Sequence, residues 1–198
     1  MKTVIVTSAT TVEPITLAEA KTHLRITSSG DNDYINTLIR AARRRVEDLT
    51  NRKMLTQTWK VYFDNWPAGN KDDYFDIPYS PLQSIPTTGL KYTMSTGNST
   101  TFSSSKWETD TVSEPGRLVL DYGYSWPSNT LNNRNPIEIR FVCGYTTPAK
   151  VPEELKLAMK ILVGHYYENR EMVLIGQTLT EIPESVKALI SNYRIHTF

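Results

Sequence analysis

The residue types that could bind a metal fall into two small groups along this sequence. His165 and Glu168 lie three residues apart, a spacing that would put two metal ligands on one face of a helix. Asp72, Asp73 and Asp76 form an acidic run without the spacing and glycine of a calcium-binding EF-hand loop. No second ligand pair accompanies the first, and the chain has one cysteine. We therefore predict no metal site and no cofactor, and we interpret the acidic run as a solvated turn.

Catalytic motifs are missing from the sequence. It contains no GxGxxG, GxxxxGK[ST], HExxH or GxSxG pattern. Histidine, serine and aspartate are all present, but none stands in a recognisable nucleophile context. The sequence therefore predicts a protein that is not an enzyme.

A cluster of arginines is dense enough to suggest phosphate binding. On a helical wheel, Arg40 and Arg44 lie opposite the apolar stripe, while Arg43 and Arg45 flank that stripe. Glu47 and Asp48 follow four residues after two of these arginines, so intrahelical ion pairs can form. We interpret the cluster as a solvated or subunit-pairing face rather than a DNA site. The four residues are Arg40, Arg43, Arg44 and Arg45.

Composition narrows the class of protein. The chain has 198 residues, 39% of them hydrophobic and 22% charged, with a formal net charge of +1. These values are typical of a soluble globular protein of one or two domains and give no sign of a basic nucleic-acid binder. The single cysteine, Cys143, excludes an internal disulfide. We find neither a convincing signal peptide nor an apolar run of the ~20 residues that span a bilayer, and we predict an intracellular product without membrane contact.

Four helices are predicted from apolar periodicity and capping signals. Thr16 and Glu19 have the spacing of a capping box at the start of the first helix. Asp31 or Asp33 can cap the second helix, whose apolar residues form a single face. Pro152 and Pro183 suit the beginnings of the third and fourth helices. The predicted ranges are Thr16–Ile26, Tyr34–Thr50, Pro152–Glu171 and Pro183–Arg194.

Between the second and third helices the sequence has the character of β structure. The region holds all four tryptophans and is rich in turn-forming residues, with short β-patterned segments and a hairpin tip at Gly97 and Asn98. Trp59 and Trp107 lie in predicted strands and are expected to fill the core, whereas Trp126 could contact a partner. The segments are Thr56–Phe63, Tyr74–Ile77, Leu90–Met94, Thr101–Phe102, Lys106–Thr109, Arg117–Leu120 and Ile137–Val142.

The order of these elements predicts an α+β fold, in which a framework of about four helices is interrupted by a β-rich insertion. We assign residues 1–54 and 149–198 to the helical core and residues 55–148 to the insertion. The first 14 residues look extended, and they could form a loose arm or add to another sheet.

The third predicted helix is apolar on two sides. One stripe runs through Leu155, Met159 and Leu162, and a second patch on nearly the opposite side contains Leu157, Ile161 and Gly164. A helix of this kind needs two surfaces to pack against, such as its own core and a neighbouring subunit. The alternative is a central helix buried within a single domain.

The segment GYTTPAKVPEELKLAMKILVGHYYENRE resembles a signature of phage head–tail connector proteins, in the HK97-type group with an inserted β region. The resemblance continues through ITLAEAKTHLRI, DNDYINTLIRAARRRVEDLTNRKML, WKVYFDNWP, IPYSPLQSI and IPESVKALISNYR, and it spans Ile15 to Arg194. The order and spacing of these segments make it specific. Departures are modest: Tyr166 and Tyr167 replace a pair that often includes tryptophan, and Asn51 stands where glycine often follows the long helix.

This resemblance implies a virion neck protein, present in the host cytoplasm during assembly. It implies a homo-oligomeric ring of about twelve subunits between a portal protein and a stopper or tail-completion protein. Packaged DNA would pass through the lumen without sequence-specific contacts, and a near-neutral chain suits such a conduit. From the second apolar patch and the outward arginines we predict a subunit interface that contains Leu157, Ile161, Gly164, Arg40 and Arg44. We predict that the portal docks on Tyr193, Arg194, Ile195 and Phe198, and that the residues from Ile195 onward order only on meeting this partner.

The aromatic residues of the β region leave a second interpretation open. Aromatic faces stack on sugars and on protein surfaces, so the chain could be a glycan- or protein-binding module of a phage tail device. A high-order ring in solution would favour the connector, and a glycan-binding monomer would favour the module.

Overall fold

The computed structural model of the chain describes residues 3–67, 74–170 and 182–195, which form two compact units. Residues 3–10, 56–67 and 74–144 make up the β unit. Residues 11–55, 145–170 and 182–195 make up the helical unit. The mixed α+β class predicted from the sequence is confirmed.

The helical unit contains four helices, each close to its predicted position. The third begins one residue later than predicted and ends at Glu168, and the segment 171–181 lies outside the described residues. A short 3-10 turn, Ser191–Tyr193, follows the fourth helix. The helices are α1 (Leu17–Leu24), α2 (Asn32–Thr50), α3 (Glu153–Glu168) and α4 (Glu184–Ile190).

Local chemistry fixes the ends of α1 and α2. The Thr16 hydroxyl accepts the Glu19 N–H, and the Glu19 carboxylate accepts the Thr16 N–H, which confirms the capping box. Asp31 occupies the N-cap position of α2 but makes no side-chain capping bond. The Tyr167 hydroxyl donates to its carboxylate instead, at 2.5 Å. Asn51 ends α2 with φ +54°, a left-handed conformation that asparagine tolerates and that explains its place where glycine is common.

The core of the helical unit forms where α2, α3 and α4 pack together. Ile35 and Ile39 on α2 and Leu155 and Met159 on α3 are fully buried, as the 3.6-residue periodicity predicts. Val186 of α4 is also buried in this cluster. The apolar stripes of α2 and α3 therefore face each other, and the opposite side of each helix points away from this contact.

The β unit contains nine strands in two sheets. The larger sheet has the order β1-β2-β9-β5-β6, with β4 also pairing with β9, and the smaller has the order β3-β8-β7. All ladders between these strands are antiparallel. The strands are β1 (Thr3–Ser8), β2 (Gln57–Phe63), β3 (Tyr74–Asp76), β4 (Leu82–Ser84), β5 (Leu90–Thr93), β6 (Ser99–Thr101), β7 (Trp107–Asp110), β8 (Arg117–Leu120) and β9 (Ile137–Cys143).

The period-two pattern of β9 organises the core of this unit. Ile137, Ile139 and Phe141 are fully buried, while Glu138 and Arg140 alternate with them on the other face. Glu138 pairs there with Lys60 of the neighbouring strand β2, at 2.8 Å. Cross-strand pairing of this kind fixes the register of a central strand.

The amino-terminal segment was predicted to be extended, either as a loose arm or as an addition to another sheet. Its strand β1 pairs along its length with β2 of the same chain, so it belongs to the β unit and not to the helical unit that the sequence assigned it to. The extended, β-branched residues at positions 4–6 satisfy their backbone groups within this sheet. The short strand β4 was also absent from the prediction, because three residues carry too little pattern to recognise.

Two positions in the β unit, Asn98 and Gly89, should differ in their tolerance of substitution. The predicted hairpin tip is confirmed: Gly97 has φ +88° with nothing within 4 Å of a built Cβ, and Asn98 beside it is exposed. We expect Asn98→Gly to change the free energy of unfolding by under about 0.5 kcal/mol. A Cβ on Gly89 would lie 2.7 Å from the carbonyl oxygens of Arg140 and Pro86, so we expect Gly89→Ala to cost about 1–3 kcal/mol. Urea titration of both variants checks this, and equal costs would contradict it.

Candidate assembly surfaces

The second face of α3 is only partly open. A Cβ on Gly164 would lie 3.7 Å from Leu24 of α1, so this end of the face is covered by the chain's own first helix. Ile161 is half-buried and packs against the core of the helical unit. Leu157 remains 43% exposed. The sequence grouped these three residues as one patch, and the structure divides them between an internal helix contact and an open surface.

Leu157 lies in a groove between α1 and α3, which we call the α1–α3 groove. Its volume is about 460 Å³, and its lining is completed by Ala18, Thr22, His23, Glu19 and Lys160. Hydrogen bonding from the Thr16 backbone lowers the pKa of Glu19, which keeps this carboxylate ionised at the groove rim. Lys160 approaches the same carboxylate at 3.8 Å. The groove therefore combines an apolar floor with a charged rim.

The outward side of α2 carries a basic surface, which we call the arginine face. Its members Arg40, Ala41, Arg44 and Arg45 are all exposed. The Arg40 guanidinium donates to the Thr37 hydroxyl at 2.9 Å, one turn earlier on the same side. The prediction that Arg40 and Arg44 lie opposite the apolar stripe agrees with their exposure.

The fourth arginine of the cluster, Arg43, is buried and has a different role. Its guanidinium donates to Glu13 at 2.7 Å and to Glu47 at 3.3 Å. The second Glu47 oxygen lies 3.8 Å from the Lys53 ammonium, and Glu47 also accepts the Met54 N–H at 2.9 Å. The four-residue spacing of Arg43 and Glu47 indicated one of these pairs. Glu13 and Lys53 were missed because no local pattern links them to α2.

The α1–α3 groove and the arginine face lie on opposite sides of the α2–α3 layer. Each helix turns its buried stripe toward the other, and each surface lies away from that stripe. A subunit with two different surfaces on opposite sides can make head-to-tail contacts with identical neighbours. This arrangement lies within the helical unit alone.

The predicted portal-docking residues divide in the structure. The Tyr193 carbonyl accepts the Arg52 Nε–H at 2.7 Å, and the Tyr193 hydroxyl donates to Glu154 at 2.9 Å. Ile195, predicted to be poorly ordered, is buried, and its N–H donates to the Thr50 carbonyl at 2.9 Å. This contact satisfies an orphan carbonyl at the end of α2.

The remaining members of that docking set are differently placed. Arg194 is exposed, and Phe198 lies outside the described residues. Only Arg194 among the described members therefore presents its side chain outward.

The aromatic residues of the β unit mostly pack with one another. Trp126 stacks on Trp66 with ring centroids 5.0 Å apart and planes inclined by 12°. Trp107 is buried, and Trp59 packs edge-on against Tyr79. The sequence identified Trp126 as a candidate partner contact. In the structure, one face of its ring is covered by Trp66 of the same chain.

The described ranges contain neither a cluster of metal ligands nor a helix that could span a membrane. No three histidine, cysteine, aspartate or glutamate side chains converge as metal ligands within residues 3–67, 74–170 and 182–195. Asp72 and Asp73 lie outside these ranges, and His165 makes a ring contact with Tyr166. None of the helices described here is long and apolar enough to cross a membrane.

Two substitutions on the second face of α3 should separate its open part from its covered part. We expect Leu157→Asp to change the free energy of unfolding by under about 0.5 kcal/mol, because the side chain is exposed. Ile161→Asp should cost about 2 kcal/mol or more, because it places a charge against the core. From the two-sided pattern of the helix alone, Ile161→Asp would be expected to block ring assembly and to leave the monomer folded. Urea titration followed by circular dichroism measures the free energy of unfolding of both variants. An Ile161→Asp protein as stable as the unchanged protein would show that this side chain is not packed against the core.

The chain matches the profile of the head completion protein family over residues 13–196, and it belongs to that family. It is therefore a structural virion protein of the head–tail connection rather than an enzyme, as the sequence resemblance implied. No curated protein sequence gives a significant match.

Solved structures of similar fold come from gene transfer agent particles. A chain in the native virion has 21% identity and a TM-score of 0.75, with 98% of this chain and 96% of that chain covered. A chain in the neck of the empty particle, computed with C6 symmetry, has 21% identity, a TM-score of 0.72 and coverage of 98% and 97%. A chain in the native neck, computed with C12 symmetry, has 22% identity, a TM-score of 0.67 and the same coverage. Both units of the chain therefore have counterparts in these structures.

Proposed function

We propose that the chain is the subunit of a closed ring that joins the portal of a phage-type head to a stopper or tail-completion protein. The observation that carries the proposal is the match of nearly the whole chain to proteins of gene transfer agent necks, together with its family membership. The ring has about twelve subunits, in keeping with the C12 symmetry of one such neck. Packaged DNA passes through its lumen.

The two surfaces of the helical unit support the ring. Leu157 in the α1–α3 groove and Arg40 and Arg44 in the arginine face are the proposed interface residues. Gly164 acts indirectly, because its lack of a side chain lets α1 approach α3 closely, and Ile161 packs against the core of the helical unit. A formal net charge of +1 lets DNA pass without strong binding to phosphates.

Portal attachment is proposed for the carboxyl-terminal end. Arg194 and Phe198 make the contact, while Tyr193 and Ile195 hold this end against α2. Co-sedimentation with portal rings should fall for Arg194→Glu and for a chain that stops after Ile195. Undiminished attachment of both proteins would exclude this docking role.

A genetic experiment tests the proposed position in the particle. Particles made without the chain should accumulate as heads and tails that fail to join, because the connecting ring is missing. Supplying the intact chain in trans should restore joined particles. Normal joining in its absence would contradict the proposal.

A further inference from the structure

We infer that the α1–α3 groove of one copy receives the arginine face of the next copy, with Ala41 over Leu157 and the arginines against carboxylates on the groove rim. This inference rests on the proposed ring and names the two surfaces that pair within it. Each surface is open along the described residues, and their chemistry is complementary.

The carboxylates at and beside the groove are exposed, and the ammonium groups paired with them are more buried. The Glu153 side chain, one turn before Leu157, is 80% exposed, and the Glu19 side chain is 44% exposed. Their partners Lys156 and Lys160 are 10% and 22% exposed. The four formal charges cancel, but an approaching surface meets the carboxylates first.

The His23 imidazole also lines the groove, but the most exposed charged groups at and beside the groove are carboxylates. A basic surface is the complementary occupant.

The arginine face has the shape as well as the charge for this contact. Ala41 is small and exposed, and three exposed arginines surround it on neighbouring helical positions. A small residue at the centre lets the helix approach an exposed leucine closely. Long arginine side chains can then reach carboxylates on either side and bind them in a bidentate manner.

The ends of the arginine face limit how far it extends. Asp33 and Asp48 are exposed near the two ends of the helix and confine the positive charge to its middle turns. A continuous polyanion such as DNA would meet these carboxylates as well, whereas a short groove meets only the centre. This charge pattern favours a second copy of the chain over nucleic acid.

The placement of the two surfaces determines the kind of assembly. Because they differ and lie on opposite sides of the α2–α3 layer, each copy can use one surface toward each neighbour. Contacts of this heterologous type propagate, and they close into a ring when the rotation between copies allows it. A two-fold dimer would instead use one surface twice.

Disulfide trapping tests the pairing directly. A full-length protein carrying both Ala41→Cys and Leu157→Cys should give a ladder of covalent multimers on a non-reducing gel after mild oxidation. The native Cys143 is buried and serves as an internal background. Proteins with Ala41→Cys alone or with Thr96→Cys and Leu157→Cys are matched controls, since Thr96 is exposed in the β5–β6 hairpin. A ladder no stronger than in these controls, including at high protein concentration, would overturn the inference.

Mixing two blocked variants tests the head-to-tail arrangement. The first variant carries Arg40→Glu and Arg44→Glu, and the second carries Ala18→Arg and Glu153→Arg, which leave position 157 free for the cysteine. When each variant also carries Ala41→Cys and Leu157→Cys, the amount of covalent multimer on the gel should be at least tenfold lower than for the protein with the cysteine pair alone. A mixture with Ala41→Cys on the second variant and Leu157→Cys on the first should give a covalent dimer and nothing larger. A mixture without dimer would refute the pairing.

These outcomes separate the inference from the proposed function. If particles contain the chain in a neck ring but the cysteines do not trap, the ring uses other surfaces and only the pairing fails. If the cysteines trap but particles join without the chain, the proposed function fails instead.

Discussion

Glu47→Ala should lower the free energy of unfolding by about 3–5 kcal/mol, because it removes one partner from a buried ionic cluster. Glu47 is buried on α2 and contacts two buried cations, Arg43 and Lys53. Arg43 keeps its bond to Glu13, but Lys53 loses this carboxylate, and the Met54 N–H loses its acceptor. The substitution thus exposes the desolvation cost of a buried charge and of a buried backbone donor.

Urea titration followed at 222 nm measures this effect in the helical unit. All four tryptophans belong to the β unit, so their fluorescence reports that unit separately. Asp48→Ala is the matched control, because Asp48 is the exposed neighbour of Glu47 on the same helix. We expect the control to stay within about 0.5 kcal/mol of the unchanged protein. A similar small loss for Glu47→Ala would show that the cluster contributes little to stability.

A chain that stops after Asn192 should lose about 3 kcal/mol or more. The missing residues include the buried Ile195, whose side chain contributes about 1.5–3 kcal/mol through burial. They also include the Tyr193 carbonyl that accepts from the Arg52 guanidinium, a bond to a charged group worth about 1.5–3 kcal/mol. From the sequence alone, removal of residues 193–198 was expected to leave the helical framework stable. The contacts of Tyr193 and Ile195 instead predict a loss of stability.

A chain that stops after Ile195 is the control for this truncation. It retains every contact of Tyr193 and Ile195 named above, so the difference between the two truncated proteins isolates residues 193–195. Thermal unfolding of both should show the large shift only for the shorter chain. Equal midpoints would mean that these contacts do not stabilise the helical unit.

The fold was largely predictable because its elements follow local patterns. The stripe of α2 and the alternation of β9 place Ile35, Ile39, Ile139 and Phe141 in the two cores, as their periodicity predicts. The pairing of β1 was less predictable. An extended β-branched segment shows that a strand is favourable, but not which strand edge accepts it. That choice depends on the long-range antiparallel register with β2.

The candidate surfaces were predictable only in outline. A helical wheel placed Leu157 and Ile161 on one face, but only tertiary structure shows that α1 covers part of that face. Likewise, the wheel placed Arg43 and Arg45 alike, both flanking the apolar stripe. Contacts with Glu13 and Glu47, thirty residues and one turn away respectively, bury Arg43 alone. Sequence periodicity shows which face of a helix a residue lies on. Whether that face is buried depends on segments that are distant along the chain.

The number and position of copies in the particle test the ring connector most directly. An affinity label can be inserted between Gly97 and Asn98, where the hairpin tip is open. Electron cryomicroscopy of particles assembled with the labelled chain should show one ring of about twelve labels at the neck between head and tail. Particles that lack the label at the neck, or that carry it on the tail tip or capsid surface, would contradict the assignment of this chain as the connector subunit.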